Sequence, residues 1–329
     1  MSRFLRDFGP VVALVLLFIV GTAMQPQYFL QPENIRNLFS QNVDVGLLAI
    51  GMTLVIVTAG IDLSVGSILV LSAAISLQVV NGRVPAGESM AVWFGAVTAL
   101  GVGMGLGLLN GVLVAYARVA PFVVTLCGLV AYRSAALVIG QSGEIRSSSP
   151  DLFPRIANSG IELAGIKTAS GASLSIPWSV FALLLVAWAV HFALERTRWG
   201  RYLVAVGSNE RAAHYAALPV ARIKASAYVM MGLLAGASGL FAASRLNSVG
   251  TGSLGTLREL DAIAAAVIGG ASLSGGKGRI FHTLIGVLIL AVINNLLVLQ
   301  NVSADWQGMV KGAIILLAVL VQREKKPAA

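Results

Sequence analysis

Gly51-Met-Thr-Leu-Val-Ile-Val-Thr-Ala-Gly-Ile-Asp-Leu-Ser-Val-Gly-Ser67 closes one apolar run, 43–60, and opens the next, 65–80. A single carboxylate, Asp62, is set between them and flanked by Gly60 and Gly66. A charged side chain at the centre of a membrane helix costs roughly 2.5–3.5 kcal/mol on insertion scales, so such residues are rare and mark function or a break. Glycines let the helix break, and broken backbone at that depth is tolerated only against protein or a wet cavity. Two readings stay open. Gly60, Asp62, Ser64 and Gly66 form a polar hinge that lines a translocation path, or the segment is a short cytoplasmic turn in which Asp62 caps the following helix.

Outward from this stretch the apolar character continues in both directions. Hydrophobic residues make up 57% of the 329, and charged residues only 11%, against roughly 25% in a soluble domain. Apolar runs fall at about 11–24, 43–60, 65–80, 91–116, 120–140, 177–194, 225–243, 260–274, 280–299 and 305–321. About 20 apolar residues span the hydrocarbon as a helix. The expected fold is therefore all-α: a polytopic transmembrane bundle of about ten spans forming a single domain over residues 1–329, with broken helices. The third and eighth runs are short, which suits tilted or partial spans. The first run is read as an uncleaved helix, because no small-x-small cleavage site follows it.

The net charge of +9 could suggest nucleic acid in a soluble protein. Here the positive-inside rule accounts for it. An even span count puts Arg3, Arg6, Arg118, Arg196, Arg198, Arg201, Arg211, Arg222, Lys224, Lys277, Arg279, Arg323, Lys325 and Lys326 on one side. Arg36, Arg83, Arg146, Arg155, Lys167, Arg245 and Arg258, half as many, fall on the other. Both termini are then cytoplasmic, 141–176 is an outer loop and 195–224 a basic cytoplasmic loop.

Gly60-Ile-Asp-Leu-Ser-Val-Gly66 is echoed by Gly270-Ala-Ser-Leu-Ser-Gly-Gly276. Both read Gly-x-[Asp/Ser]-Leu-Ser-x-Gly and each separates two apolar runs. Repeats with broken helices at the substrate path are common in transporters, which adds Ser272 and Ser274 to the candidate path residues. Ten spans make the copies parallel, and a miscount by one would make them inverted. Asn294 and Asn295 in the ninth run either meet substrate hydroxyls or join helices, the commoner use. Arg133 forms an interhelical or pathway contact, or snorkels. Lys311, near the start of its run, is expected to snorkel.

Gly103, Gly107 and Gly111 form a close-packing stripe, with Gly232 and Gly236 as a second one. Ser274-Gly-Gly-Lys-Gly278 is no phosphate loop, since Ala271 and Gly278 stand where that motif needs Gly and Ser or Thr. The lone Cys127 and the scattered His191, His214 and His282 give no metal set, and no cofactor or catalytic residue is expected. In the basic loop, Asn209 suits an N-cap, Glu210 a first turn and Pro219 a stop. This short, alanine-rich helix either docks a soluble partner or lies on anionic lipid, held by Arg198, Arg201 and Arg211.

The first stretch quoted strongly resembles the signature of ribose-type ABC transporter permeases. So do Asn110-Gly-Val-Leu-Val-Ala115, Pro121-Phe-Val-Val-Thr-Leu126, Ala205-Val-Gly-Ser-Asn-Glu-Arg-Ala-Ala213, Glu259-Leu-Asp-Ala-Ile-Ala-Ala-Ala-Val-Ile-Gly-Gly270 and Val310-Lys-Gly312. The matches come in order over nearly the whole chain. One departure is Ala217-Leu218, where the family often has Gly-Ile or Gly-Val. The resemblance implies a bacterial inner-membrane permease importing a monosaccharide or related small polyol, paired with a second permease. It also implies two cytoplasmic ATPase subunits and a periplasmic sugar-binding protein. It favours docking at Gly207, Asn209, Ala212, Ala213 and Ala217, where Ala213→Arg should uncouple transport. An ion-coupled secondary transporter is the rival, and Asp62 is the one carboxylate placed for its relay.

Overall fold

The computed structural model describes residues 3–82, 87–167 and 173–322. The chain runs through α1 (Arg3–Met24), α2 (Pro32–Ser40), α3 (Val43–Val57), α4 (Val65–Asn81), α5 (Glu88–Ala115) and α6 (Pro121–Ile139). Next come β1 (Glu144–Arg146), α7 (Arg155–Asn158), β2 (Gly160–Lys167) and β3 (Ser173–Pro177). It continues through α8 (Trp178–Arg196), α9 (Arg198–Ser208), α10 (Glu210–Tyr215), α11 (Val220–Leu246), β4 (Ser248–Gly250), α12 (Arg258–Ile268), α13 (Ile280–Leu299) and α14 (Ala304–Gln322).

A helix coincides with each of the ten apolar runs. Five of them, α5, α6, α8, α11 and α13, are long and apolar enough to cross a membrane alone. Taken together, α2 and α3, bent by 42° at a short break, make a sixth. The eighth run is shorter as a helix than as a run, because α12 has only 11 residues. At 1.5 Å per residue that is about 16 Å, half of the ~30 Å hydrocarbon.

Two small antiparallel pairs, β1–β4 and β2–β3, correct the all-α expectation. Both lie in the loops. Ser173-Leu-Ser-Ile176 alternates polar and apolar side chains, and that period of two is a strand pattern. Arg83, Lys325, Lys326 and Arg323, which the orientation expectation uses, lie outside the described residues.

Every residue of α3 is buried. The helix is apolar on all sides, so it has no face to offer water or lipid and sits at the axis. Beside it, α5 and α11 cross backbone to backbone through the two glycine stripes. A Cβ on Gly103 would lie 2.3 Å from the Gly232 carbonyl oxygen, and one on Gly107 2.4 Å from that of Tyr228. A Cβ on Gly236 would lie 2.3 Å from the carbonyl oxygen of Ala99. Such contacts exclude any side chain, so both stripes pack as their spacing predicts. The outward faces of α5, α6 and α8 carry exposed Trp93, Phe94, Val130 and Leu185, as helices facing lipid do.

α3 and α12 run parallel. Their starts are joined by Arg258 Nη2 and Asp44 Oδ2 at 3.1 Å. Just past their ends, Gly276 N donates to the Val57 carbonyl at 2.9 Å. α13 turns back along α3, its Thr283 hydroxyl 2.8 Å from that of Thr53. The helices that lead into the two breaks, α3 and α12, thus run side by side in the same direction.

Candidate functional site

The first break begins where α3 runs out of hydrogen-bond partners. Ala59 takes the left-handed conformation (φ 62°), and Gly60 N donates back to the Val55 carbonyl at 3.1 Å. This is a helix end of the Schellman type. Gly60 lies under the Tyr228 hydroxyl, 2.7 Å from where a Cβ would be. Tyr228 is eight residues into α11, about 12 Å from Val220 along the axis. Leu69 reaches Gly239, 2.3 Å from its Cβ position, about 28 Å along the same axis. Between them the chain climbs through the interior, without a helix until α4 begins at Val65.

Interior backbone needs substitutes for water. Asp62 and Ser64 are fully buried. Asp62 Oδ1 accepts from the Ser64 amide at 2.9 Å and the Ser64 hydroxyl at 2.6 Å. Asn110 Nδ2 on α5 donates to Ser64 Oγ at 2.8 Å, and the Tyr132 hydroxyl on α6 donates to Asn110 Oδ1 at 2.9 Å. The relay Tyr132–Asn110–Ser64–Asp62 thus ties α5 and α6 to the break. Asp62 Oδ2 and the Tyr228 hydroxyl are buried without a hydrogen-bond partner among the described residues. Asp62 does not cap α4, whose N-cap is Ser64 without a side-chain cap bond; it holds the turn just before that helix, inside the protein.

Gly66 is a backbone contact. A Cβ there would lie 2.2 Å from the Gly255 carbonyl and 2.7 Å from Glu259 Oε2. Arg133 fixes the same loop, donating through Nη1 to the Leu254 carbonyl at 2.6 Å and the Thr251 carbonyl at 3.3 Å. It is an interhelical clamp.

The second break uses the same helix ending. Gly270 is left-handed (φ 88°) and Ala271 N donates to Ala266 O at 2.9 Å. In three dimensions Gly270 matches Ala59, one residue off the sequence echo. Ser272, Leu273 and Ser274 then lie at the surface rather than inside. The loop folds on itself through Ser272 N, which donates to Lys277 O at 3.0 Å.

A family model described as the branched-chain amino acid transport system / permease component matches residues 34–319. The chain belongs to this permease family. The permease is 38% identical over 328 residues to the ribose import permease protein RbsC of Escherichia coli (strain K12), covering 99% of this chain and 96% of that one. It is 40% identical over 322 residues to RbsC of Bacillus subtilis (strain 168), covering 98% and 94%. It is 32% identical over 376 residues to the xylose transport system permease protein XylH of Escherichia coli (strain K12), covering 98% and 93%. No solved structure matches. The permease is a multi-pass membrane protein of the ribose type.

Asn209 caps α10 of the permease as expected, Oδ1 accepting from Ala212 N at 3.0 Å. Asn209, Ala212 and Ala217 are exposed, whereas Gly207 and Ala213 are buried. Ala213 is only 4% exposed. It faces inward on a one-sided helix, so Ala213→Arg would disrupt packing before it touched any partner. Tyr215, 92% exposed, is the side chain that α10 offers outward.

Lys311 does not snorkel. Its ammonium lies 3.2 Å from Asp261 Oδ1, and Asp261 Oδ2 lies 3.3 Å from Arg258 Nη1. With Asp44 this closes a network across α3, α12 and α14. Asp44 and Asp261 each stand in the first turn of a helix, near the start of an apolar run, and only the fold shows the partners that hold them. Asn295 joins helices, exchanging amide hydrogen bonds with Asn34 at 2.8 and 3.1 Å. Asn294 is about 21 Å along α13 from Ile280, so the structure does not bring it to either break. Its Oδ1 is buried without a hydrogen-bond partner among the described residues.

Proposed function

We propose that the chain is the membrane-spanning subunit of an ATP-driven importer for a monosaccharide or related small polyol. The observation that carries this is the likeness, end to end, to ribose and xylose permeases. In this reading two separate ATPase subunits bind the exposed side of α10 through Asn209, Ala212, Ala217 and Tyr215. A periplasmic binding protein delivers sugar to the loops on the opposite side, and a second permease, identical or related, completes the path. Counting α1, α3, α4, α12 and α14 as spans beside the five long helices gives ten, with both termini cytoplasmic.

Sugar crosses near the two breaks. Asp62, Ser64, Gly60 and Gly66 hold the wall in shape from behind, while Ser272 and Ser274 stand at its inner mouth. Such a wall is polar without carrying a free charge, which suits a neutral solute.

The test is uptake of labelled ribose and xylose by proteoliposomes containing the chain, the ATPase subunits and the binding protein. Uptake should require all three components and ATP. Uptake by the chain alone, driven by a sodium or proton gradient, would replace this reading with an ion-coupled one.

A further inference from the structure

Three pieces of backbone meet in close contact at the C-terminal end of α9. A Cβ on Gly207 would lie 1.7 Å from the Val57 carbonyl oxygen and 2.9 Å from Gly276 N. One on Gly275 would lie 2.5 Å from the Gly207 carbonyl oxygen, and one on Gly276 3.0 Å from the Ser208 Cα. The Gly276 amide closes the junction by donating to Val57 O at 2.9 Å. Gly275 and Gly276 both have left-handed backbone, φ 86° and 73°, so glycine is needed for conformation as well as space.

Each piece leads somewhere different. Val57 ends α3 and leads through Ala59 to the buried break at Asp62. Gly276 belongs to the surface break and leads to α13, and Gly278 beside it rests on Val57 and Thr53. Gly207 is two residues before Asn209, whose side chain caps α10. Lys224 Nζ, 2.7 Å from Glu210 Oε2, ties α10 to the start of α11, so α10 does not swing freely. Close-packed atoms pass a displacement on rather than absorb it.

We propose that Gly207, Gly275 and Gly276 are the positioning residues through which displacement of α10 reaches both broken helices at once. This rests on the reading that an ATPase subunit binds α10. It adds which atoms carry the movement inward, and that one contact serves both breaks.

The test uses the whole reconstituted importer and reads ATP hydrolysed per sugar transported. Gly207→Ala should leave the complex assembled and hydrolysing ATP, and raise that ratio roughly tenfold. The comparator is Gly200→Ala at the α8–α9 corner, equally crowded because its Cβ would lie 1.9 Å from the Leu194 carbonyl oxygen. It should lower the yield of folded protein with the ratio unchanged, since it touches neither break. If the Gly207 variant does not accumulate, Gly276→Ala is the second probe, its nearest clash being the Ser208 hydroxyl and its left-handed backbone an added strain, and the same rise is expected. An unchanged ratio, or an equal rise in the Gly200 variant, overturns the proposal. Normal ATPase binding by Ala212→Arg would remove the docking reading instead, a separate outcome read from co-purification.

Discussion

Past α3 the chain turns inward and buries Asp62 and Ser64, whereas past α12 it stays outside and leaves Leu273 and Ser274 exposed. Both helices end on a left-handed residue, Ala59 and Gly270, with the next amide turned back five residues. Beyond that point the two segments differ because their solvent differs. Surface backbone can bond to water. Interior backbone must bond to protein, and a buried donor left without a partner costs about 1–3 kcal/mol. Asp62, Ser64, Asn110 and Tyr132 are the answer to that demand at the first break. A shared motif thus fixes how a helix stops, and burial decides which side chains must follow.

The largest test of this contrast removes the buried acceptor. Asp62→Leu leaves the Ser64 amide and hydroxyl without their partner, so thermal unfolding in detergent should show a loss of about 3 kcal/mol. A change comparable to that of a surface substitution would mean the first break is as open as the second.

The helix endings give a smaller, paired test. Gly270→Ala meets no atom within 4 Å, so its cost is conformational, about 1–2 kcal/mol. Ala59→Gly should do the opposite and stabilise by about 0.4–1 kcal/mol. Shifts of the same sign at both positions would deny that they are the same terminator. Smallest of all, Ser274→Ala should change stability by less than about 0.5 kcal/mol, because its side chain lies at the surface.

Much of this was readable in advance from single residues. Glycine spacing on α5 and α11 predicted a backbone crossing, because only glycine permits that distance. Asn209 announced its helix, because a cap depends on one side chain and its next turn. The echo announced two helix endings, though one residue out of register, since Ala59 does in the first copy what glycine does in the second. Ala217 shows the same substitution. It is left-handed (φ 55°), a conformation that glycine adopts without a Cβ penalty.

What depends on long-range geometry was hidden. Lys311 looked free to snorkel until α12 placed Asp261 beside it. Asn110 and Tyr132 read as ordinary members of apolar runs, since nothing local says that they face Ser64. Ala213 read as a docking residue because composition cannot tell the inner from the outer side of a six-residue helix.

The most direct test is side-specific labelling of single cysteines in a Cys127→Ser background, with a membrane-impermeant maleimide on vesicles of both orientations. The account predicts that Ser274→Cys reacts only from the cytoplasmic side and that Ser64→Cys, in the resting protein, reacts from neither. Equal labelling of both from the cytoplasm, or labelling at 274 from outside, would contradict it.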